Sequence, residues 1–233
     1  MLTYDLKNTL LWLHIIAGTL ALVIGAIPII VPKGKPIHKV AGKVFLYLMF
    51  AAAVSGAVLG IVVGNMLLIF IGLFSFYLTY TGYRALKLRR LVPDFRITGL
   101  DAVYIPFSML TGLLMFSLGL IDGTLTYRLN PVMLIFGAFM FLNAGLDIRN
   151  YFRWKAGSKI KEQYAEIRCA MMRMHIGRSI GSYIAAMTAF FVVNRVFPQE
   201  VYYANWFLPS VLFVPVIIRF SRKFRVRKAV IGK

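Results

Sequence analysis

Apolar residues in this chain come in seven long runs, near 8–31, 40–63, 65–86, 101–121, 131–147, 169–195 and 203–219. An α-helix rises about 1.5 Å per residue, so about 20 mostly apolar residues cross a hydrocarbon core of about 30 Å. The breaks between runs are short. "VPKGKP" separates the first two, and its Pro and Gly stop a helix mechanically. Gly64-Asn65 separates the second and third as a tight αα-hairpin. "RRLVPDFRITGL" and "DGTLTYRLNP" follow the third and fourth. "RNYFRWKAGSKIKEQYAEIR" joins the fifth to the sixth, and its polar, helix-prone second half starts the sixth helix before the membrane. The pattern predicts an all-α, seven-transmembrane bundle in a single domain, residues 1–233. The first run is too long for a secretory signal and has no small-x-small cleavage site after it, so we expect it to be retained.

Composition agrees. The chain is 60% hydrophobic and 15% charged, where soluble domains carry roughly 25% charged residues. The single cysteine, Cys169, gives no internal disulfide. The net charge of +19 would suggest nucleic acid if it were spread over a surface. It is not. Lys and Arg concentrate in segments 33–43, 84–96, 149–168 and 219–233, after the odd-numbered spans. The other side holds only Lys7, Arg128 and Arg195. Basic excess marks the cytoplasmic face, so the N-terminus is expected outside and the C-terminus in the cytoplasm. The charge then serves orientation and attraction to anionic lipid headgroups, including the tail "RFSRKFRVRK", rather than nucleic acid.

With a bilayer as solvent, intramembrane ionisable residues become the candidates for function. His14 falls in the outer third of the first span. His38, Asp101, Asp147, His175 and Arg178 fall in one inner layer. His175, Arg178, Ser179 and Ser182 are spaced to share one face of the sixth helix. Asn143 and Asp147 share a face of the fifth, and Asp101, Tyr104 and Ser108 a face of the fourth. Tyr77, Tyr80, Thr81 and Arg84 add to the same end from the third. The simplest assembly is a polar pocket open to the cytoplasm and lined by spans two to six.

Three readings of that pocket follow. Asp147 or Asp101 neutralises Arg178 and nothing binds, as in a structural subunit. Alternatively, a small ligand or anionic headgroup binds, with Lys39, Lys43 and Arg178 as donors. A third reading has His38 and His175 holding a transition metal or a b-type haem, with His14 reserved for a second, outer site. A proton-coupled transporter using Asp147 and His175 is a further alternative. No recognisable catalytic motif is present: there is no His-Glu-x-x-His, no Gly-x-Ser-x-Gly and no phosphate-cradling loop.

The histidines sit in recognisable frames: "LHIIAGTLALVIG", "PIHKVAGKVF" and "HIGRSIGSYIAA". His14 with Gly18, then Pro36, His38, Gly42, Lys43 and Phe45, then His175, Ser182 and Tyr183 together resemble a family of bacterial predicted membrane proteins catalogued as domain of unknown function 2306. The resemblance spans most of the chain. It departs at Lys39 and Gly181, where the family pattern has Arg, and here Arg178 lies one turn earlier. The resemblance implies a polytopic protein of the bacterial cytoplasmic membrane and no activity. Ser182 and Tyr183 enter the candidate site through it.

Overall fold

The computed structural model describes residues 2–92, 94–126 and 130–225. Seven helices in it are long and apolar enough to cross a membrane. They are α1 (Leu2–Ile30), α2 (Pro36–Val62), α3 (Met66–Leu91), α4 (Gly99–Thr126), α5 (Pro131–Gly157), α6 (Tyr164–Val193) and α7 (Ala204–Arg222). Their number and order are those of the apolar runs, as expected for a multi-pass membrane protein. Of the charges read above, Arg128, Arg227, Lys228 and Lys233 lie outside the described residues.

Local chemistry starts the helices. Pro36 and Pro131 open α2 and α5, where a missing N–H costs nothing. Asn65 and Asn130 cap α3 and α5, each side-chain oxygen accepting from the backbone N–H three residues on, of Leu68 at 3.0 Å and Met133 at 3.2 Å. Thr98 and Asp101 begin α4 with a reciprocal pair. Asp101 N–H donates to Thr98 Oγ1 at 3.3 Å, and Thr98 N–H donates to the Asp101 carboxylate at 2.9 Å. This is a capping box with Asp in place of Glu.

α5 differs from the sequence expectation. It continues ten residues past Asp147, to Gly157. Arg149, Arg153 and Lys155 end the apolar run there, but Ile148, Tyr151 and Trp154 keep a helical face on the core between α3, α4 and α6. Asp147 is therefore about 15 Å inside its helix rather than at the end.

The bundle has a central pair, α3 and α6. The hairpins α1–α2 and α4–α5 pack tightly within themselves and flank it, and α7 lies along α6. In lipid, helix association relies on close packing rather than on a hydrophobic drive. Here small residues supply it. A Cβ placed on Gly112 or Gly137 would lie 2.5 Å from a backbone nitrogen of the facing helix, so α4 and α5 touch backbone to backbone. Gly82 does the same for the central pair: a Cβ there would lie 3.0 Å from the Cβ of Arg178. Large apolar side chains such as Trp12, Val103 and Val211 remain exposed around the outside, as a lipid solvent permits.

One end of the bundle is tied together by basic residues. Arg168 donates to the Val92 carbonyl at 2.9 Å, and Arg173 to the Phe224 carbonyl at 2.9 Å. Lys33 sits over the Phe220 ring at 4.5 Å and caps the end of α1 through the carbonyls of Pro28, Ile29 and Val31. Partial burial, and secondarily the charge of Lys223, lower the Lys33 ammonium below its usual pKa. This basic end carries the polar chemistry.

Candidate functional site

The ionisable residues read as one layer fall into three places. The first is a closed ion pair. Asp101 is buried and receives Arg84 Nε at 2.8 and 2.7 Å, the Tyr80 hydroxyl at 2.7 Å and the Thr98 hydroxyl at 2.8 Å. Arg84 also donates to the Arg96 carbonyl at 2.9 Å. Every oxygen of the carboxylate is used within the protein. Asp101 thus joins the α3–α4 junction and does not meet Arg178.

The second place holds His38 and His175, and His14 makes the same kind of bond elsewhere in the bundle. Three imidazoles each bridge two helices through Nδ1. His14 reaches the Ala52 carbonyl at 2.8 Å, His38 the Pro28 carbonyl at 3.1 Å and His175 the Gly82 carbonyl at 3.0 Å. A carbonyl only accepts, so Nδ1 carries the hydrogen in all three. No group of three His, Cys, Asp or Glu that could hold a metal occurs among the described residues. His14 instead borders a separate cavity of about 190 Å³ between α1, α2, α3 and α6, away from the basic end.

The third place centres on Asp147 and Arg178. Arg178 Nη2 donates to both carboxylate oxygens of Asp147 at 3.1 Å, and the Tyr77 hydroxyl donates to Oδ2. The guanidinium lies 4.8 Å from the Tyr77 ring centroid, in cation–π range. α6 brings Arg178 here because Gly82 lets it approach α3. The Gly82 carbonyl then fixes His175, and Ser182 Oγ meets Thr79 Oγ1 at 2.8 Å. His175, Ser179 and Ser182 therefore face α3, while Arg178 turns towards α5.

This ion pair forms part of the wall of a cavity of about 560 Å³ between α5, α6 and α7. Asn143, Asn150, Arg153, Gln163, Glu166 and Arg173 supply its other polar groups. Phe139, Leu146, Ile167, Met174, Val214 and Ile217 supply apolar ones. The Arg178 side chain is only 8% exposed, and its Nη1 has no hydrogen-bond partner among the described residues. A buried N–H of this kind costs free energy until something accepts from it.

The structure brings Asp147 and Arg178 together and places Asn143 beside them. The other candidate ligand residues lie elsewhere. Lys39 and Lys43 are exposed on α2, Lys43 6.0 Å from the Tyr47 ring centroid, and neither borders this cavity. Ser182 is buried against Thr79. Tyr183 packs between Phe45 and Phe213 in a hydrophobic cluster. The pocket is walled by α5, α6 and α7 rather than by the second to sixth spans. Sequence reasoning did not find α7 as a wall, because Val214 and Ile217 look like ordinary lipid-facing residues. It also missed Arg84 as the partner of Asp101, although Thr98-Gly99-Leu100-Asp101 carries a readable capping signal. No protein-family model, curated protein or solved structure matches this chain.

Proposed function

We propose that this is a ligand-binding protein of the bacterial cytoplasmic membrane, N-terminus outside, whose cytoplasm-facing cavity binds a small ligand carrying an oxyanion at Arg178. One observation carries the reading. Arg178 borders the cavity and its Nη2 is used by Asp147, while its buried Nη1 has no hydrogen-bond partner among the described residues. The volume of about 560 Å³ falls within the range of small-molecule sites. Orientation rests on the basic connections, and the same basic end would sit among anionic lipid headgroups. The resemblance to the domain of unknown function 2306 family is part of the proposal and brings no activity with it. A proton-coupled cycle at Asp147 and His175 is not needed to account for the geometry.

The test is a melting experiment on purified protein in neutral detergent, with dodecyl phosphate and inorganic phosphate as probes. At about 100 times its dissociation constant, a ligand is expected to raise the melting temperature by about 5 °C. Gly177→Leu should suppress the shift. Gly177 borders the cavity, and a Cβ there meets nothing nearer than Ile217 at 3.9 Å, so the new side chain fills space without disturbing the charges. No shift with either probe would sink the proposal.

A second reading is favoured by a separate observation. His38 and His175 both commit Nδ1 to backbone carbonyls, which presents Nε2 as a metal-ligating imidazole does. On that reading purified protein shows a Soret band or bound transition metal, lost in His38→Ala and His175→Ala. Colourless protein, free of metal by elemental analysis, ends it. In that case the imidazoles serve as links between helices.

A further inference from the structure

The cavity has a direction and a charge balance, and together they specify more than a small ligand. Arg153 pairs with Glu166 at 3.4 Å and Arg178 with Asp147 at 3.1 Å. Arg173 is left over. It donates to the Phe224 carbonyl and has no carboxylate partner among the described residues. The cavity therefore carries one uncompensated positive charge in addition to the unused N–H of Arg178.

The apolar residues of the wall are placed to one side. Phe139 and Leu146 on α5 and Val214 on α7 border the cavity and are exposed, at 48%, 47% and 43%. α5 and α7 both flank α6 and meet each other through Phe136 and Trp206, ring centroids 6.3 Å apart, near the starts of both helices, with little further packing between them. The cavity is partly open, and beyond the Phe136–Trp206 contact its α5 and α7 walls carry an apolar rim of the exposed residues Phe139, Leu146 and Val214. A water-soluble anion needs no such rim. An anion with a hydrocarbon tail does, because its tail can stay in the bilayer while its head reaches the arginines.

We propose that the ligand of this cavity is an anionic membrane amphiphile. Its phosphate or carboxylate head is held by Arg178 and Arg173, and its chain leaves between α5 and α7 into the inner leaflet. The inference rests on the cavity being a ligand site, as proposed above, and adds the class of ligand and its route. Head and chain are recognised separately: guanidinium N–H groups match an oxyanion in charge and geometry, and the rim matches a hydrocarbon by exclusion of water.

Trp154 lines the cavity and provides the reporter. Purified protein in neutral detergent would be titrated with phosphatidic acid bearing dibrominated chains, and separately with phosphatidylcholine bearing the same chains. The signal is the quenching of fluorescence that disappears in Trp154→Phe. Phosphatidic acid is expected to quench saturably, and phosphatidylcholine at least about tenfold less tightly, since a charge-assisted contact is at stake. Arg173→Gln should weaken phosphatidic acid about tenfold. Gly177→Leu should remove saturable quenching altogether while the protein still melts cooperatively. Inorganic phosphate at comparable concentration should not displace the lipid. Equal quenching by the two lipids overturns the inference, because the head is then not recognised. Displacement by inorganic phosphate at comparable concentration also overturns it, but leaves an oxyanion site standing. Absence of any response to lipid or phosphate removes both proposals.

Discussion

Asp101→Ala is expected to be among the most damaging single substitutions in the membrane-embedded part of the protein, lowering stability by about 3–5 kcal/mol. The carboxylate is 1% exposed and accepts from Arg84, Tyr80 and both hydrogen-bonding groups of Thr98. Removing it leaves the Arg84 guanidinium buried with only the Arg96 carbonyl as partner. Thr98 Oγ1 still accepts from the backbone N–H of residue 101, but the reciprocal half of the capping box, the carboxylate bond to the Thr98 N–H, is lost in the same step at a cost of about 1 kcal/mol. Tyr80→Phe is the control. It deletes one donor to the same carboxylate and should cost only about 1 kcal/mol. Thermal unfolding in detergent, with helix content followed by circular dichroism, orders the two. If Asp101→Ala melted no lower than Tyr80→Phe, Asp101 would be no more than a solvated cap.

The second large effect is expected at Asp147 and Arg178, and it takes the form of a cycle. Asp147→Leu leaves a buried guanidinium, and Arg178→Met leaves a buried carboxylate with only Tyr77 beside it. Each should cost about 3–5 kcal/mol. The double variant should cost less than either, because an apolar pair of similar volume replaces the ion pair and no charge is stranded. Ligand binding should behave differently. The double variant is expected to regain stability and still show no response to dodecyl phosphate, because no guanidinium remains at position 178. A protein that needed the pair only for folding would show stability alone changing across the cycle, with binding intact.

The seven helices were legible because a bilayer imposes a length and a polarity that few other environments do. Helix ends were less so. Hydropathy drops at Arg149, but a helix does not end where it becomes polar if Ile148, Tyr151 and Trp154 still have a core to pack on. The candidate site was legible by half. Spacing put Arg178 opposite either Asp147 or Asp101, and the choice was made by Arg84, which takes Asp101. Tyr77 and Gly82 were beyond spacing arguments, since each acts through a contact between helices distant in sequence. A glycine that seats an arginine looks, in one sequence, like any small residue in a membrane helix. Lys39 and Lys43 drew attention by charge and by resemblance, yet their position on the exposed side of α2 depends on how α2 rotates against α1.

The two buried ion pairs also bear on how the chain enters the membrane. Arg84 and Asp101 lie on α3 and α4, and Asp147 and Arg178 on α5 and α6. In both cases the counter-charge is on the next helix to be synthesised. A helix carrying a lone charge is costly to leave in lipid. Here the neutralising carboxylate or guanidinium becomes available as soon as the next helix is made. The order of synthesis therefore matches the order of charge neutralisation, and the α3–α6 contact at Gly82 completes the second pair by seating Arg178 beside Tyr77.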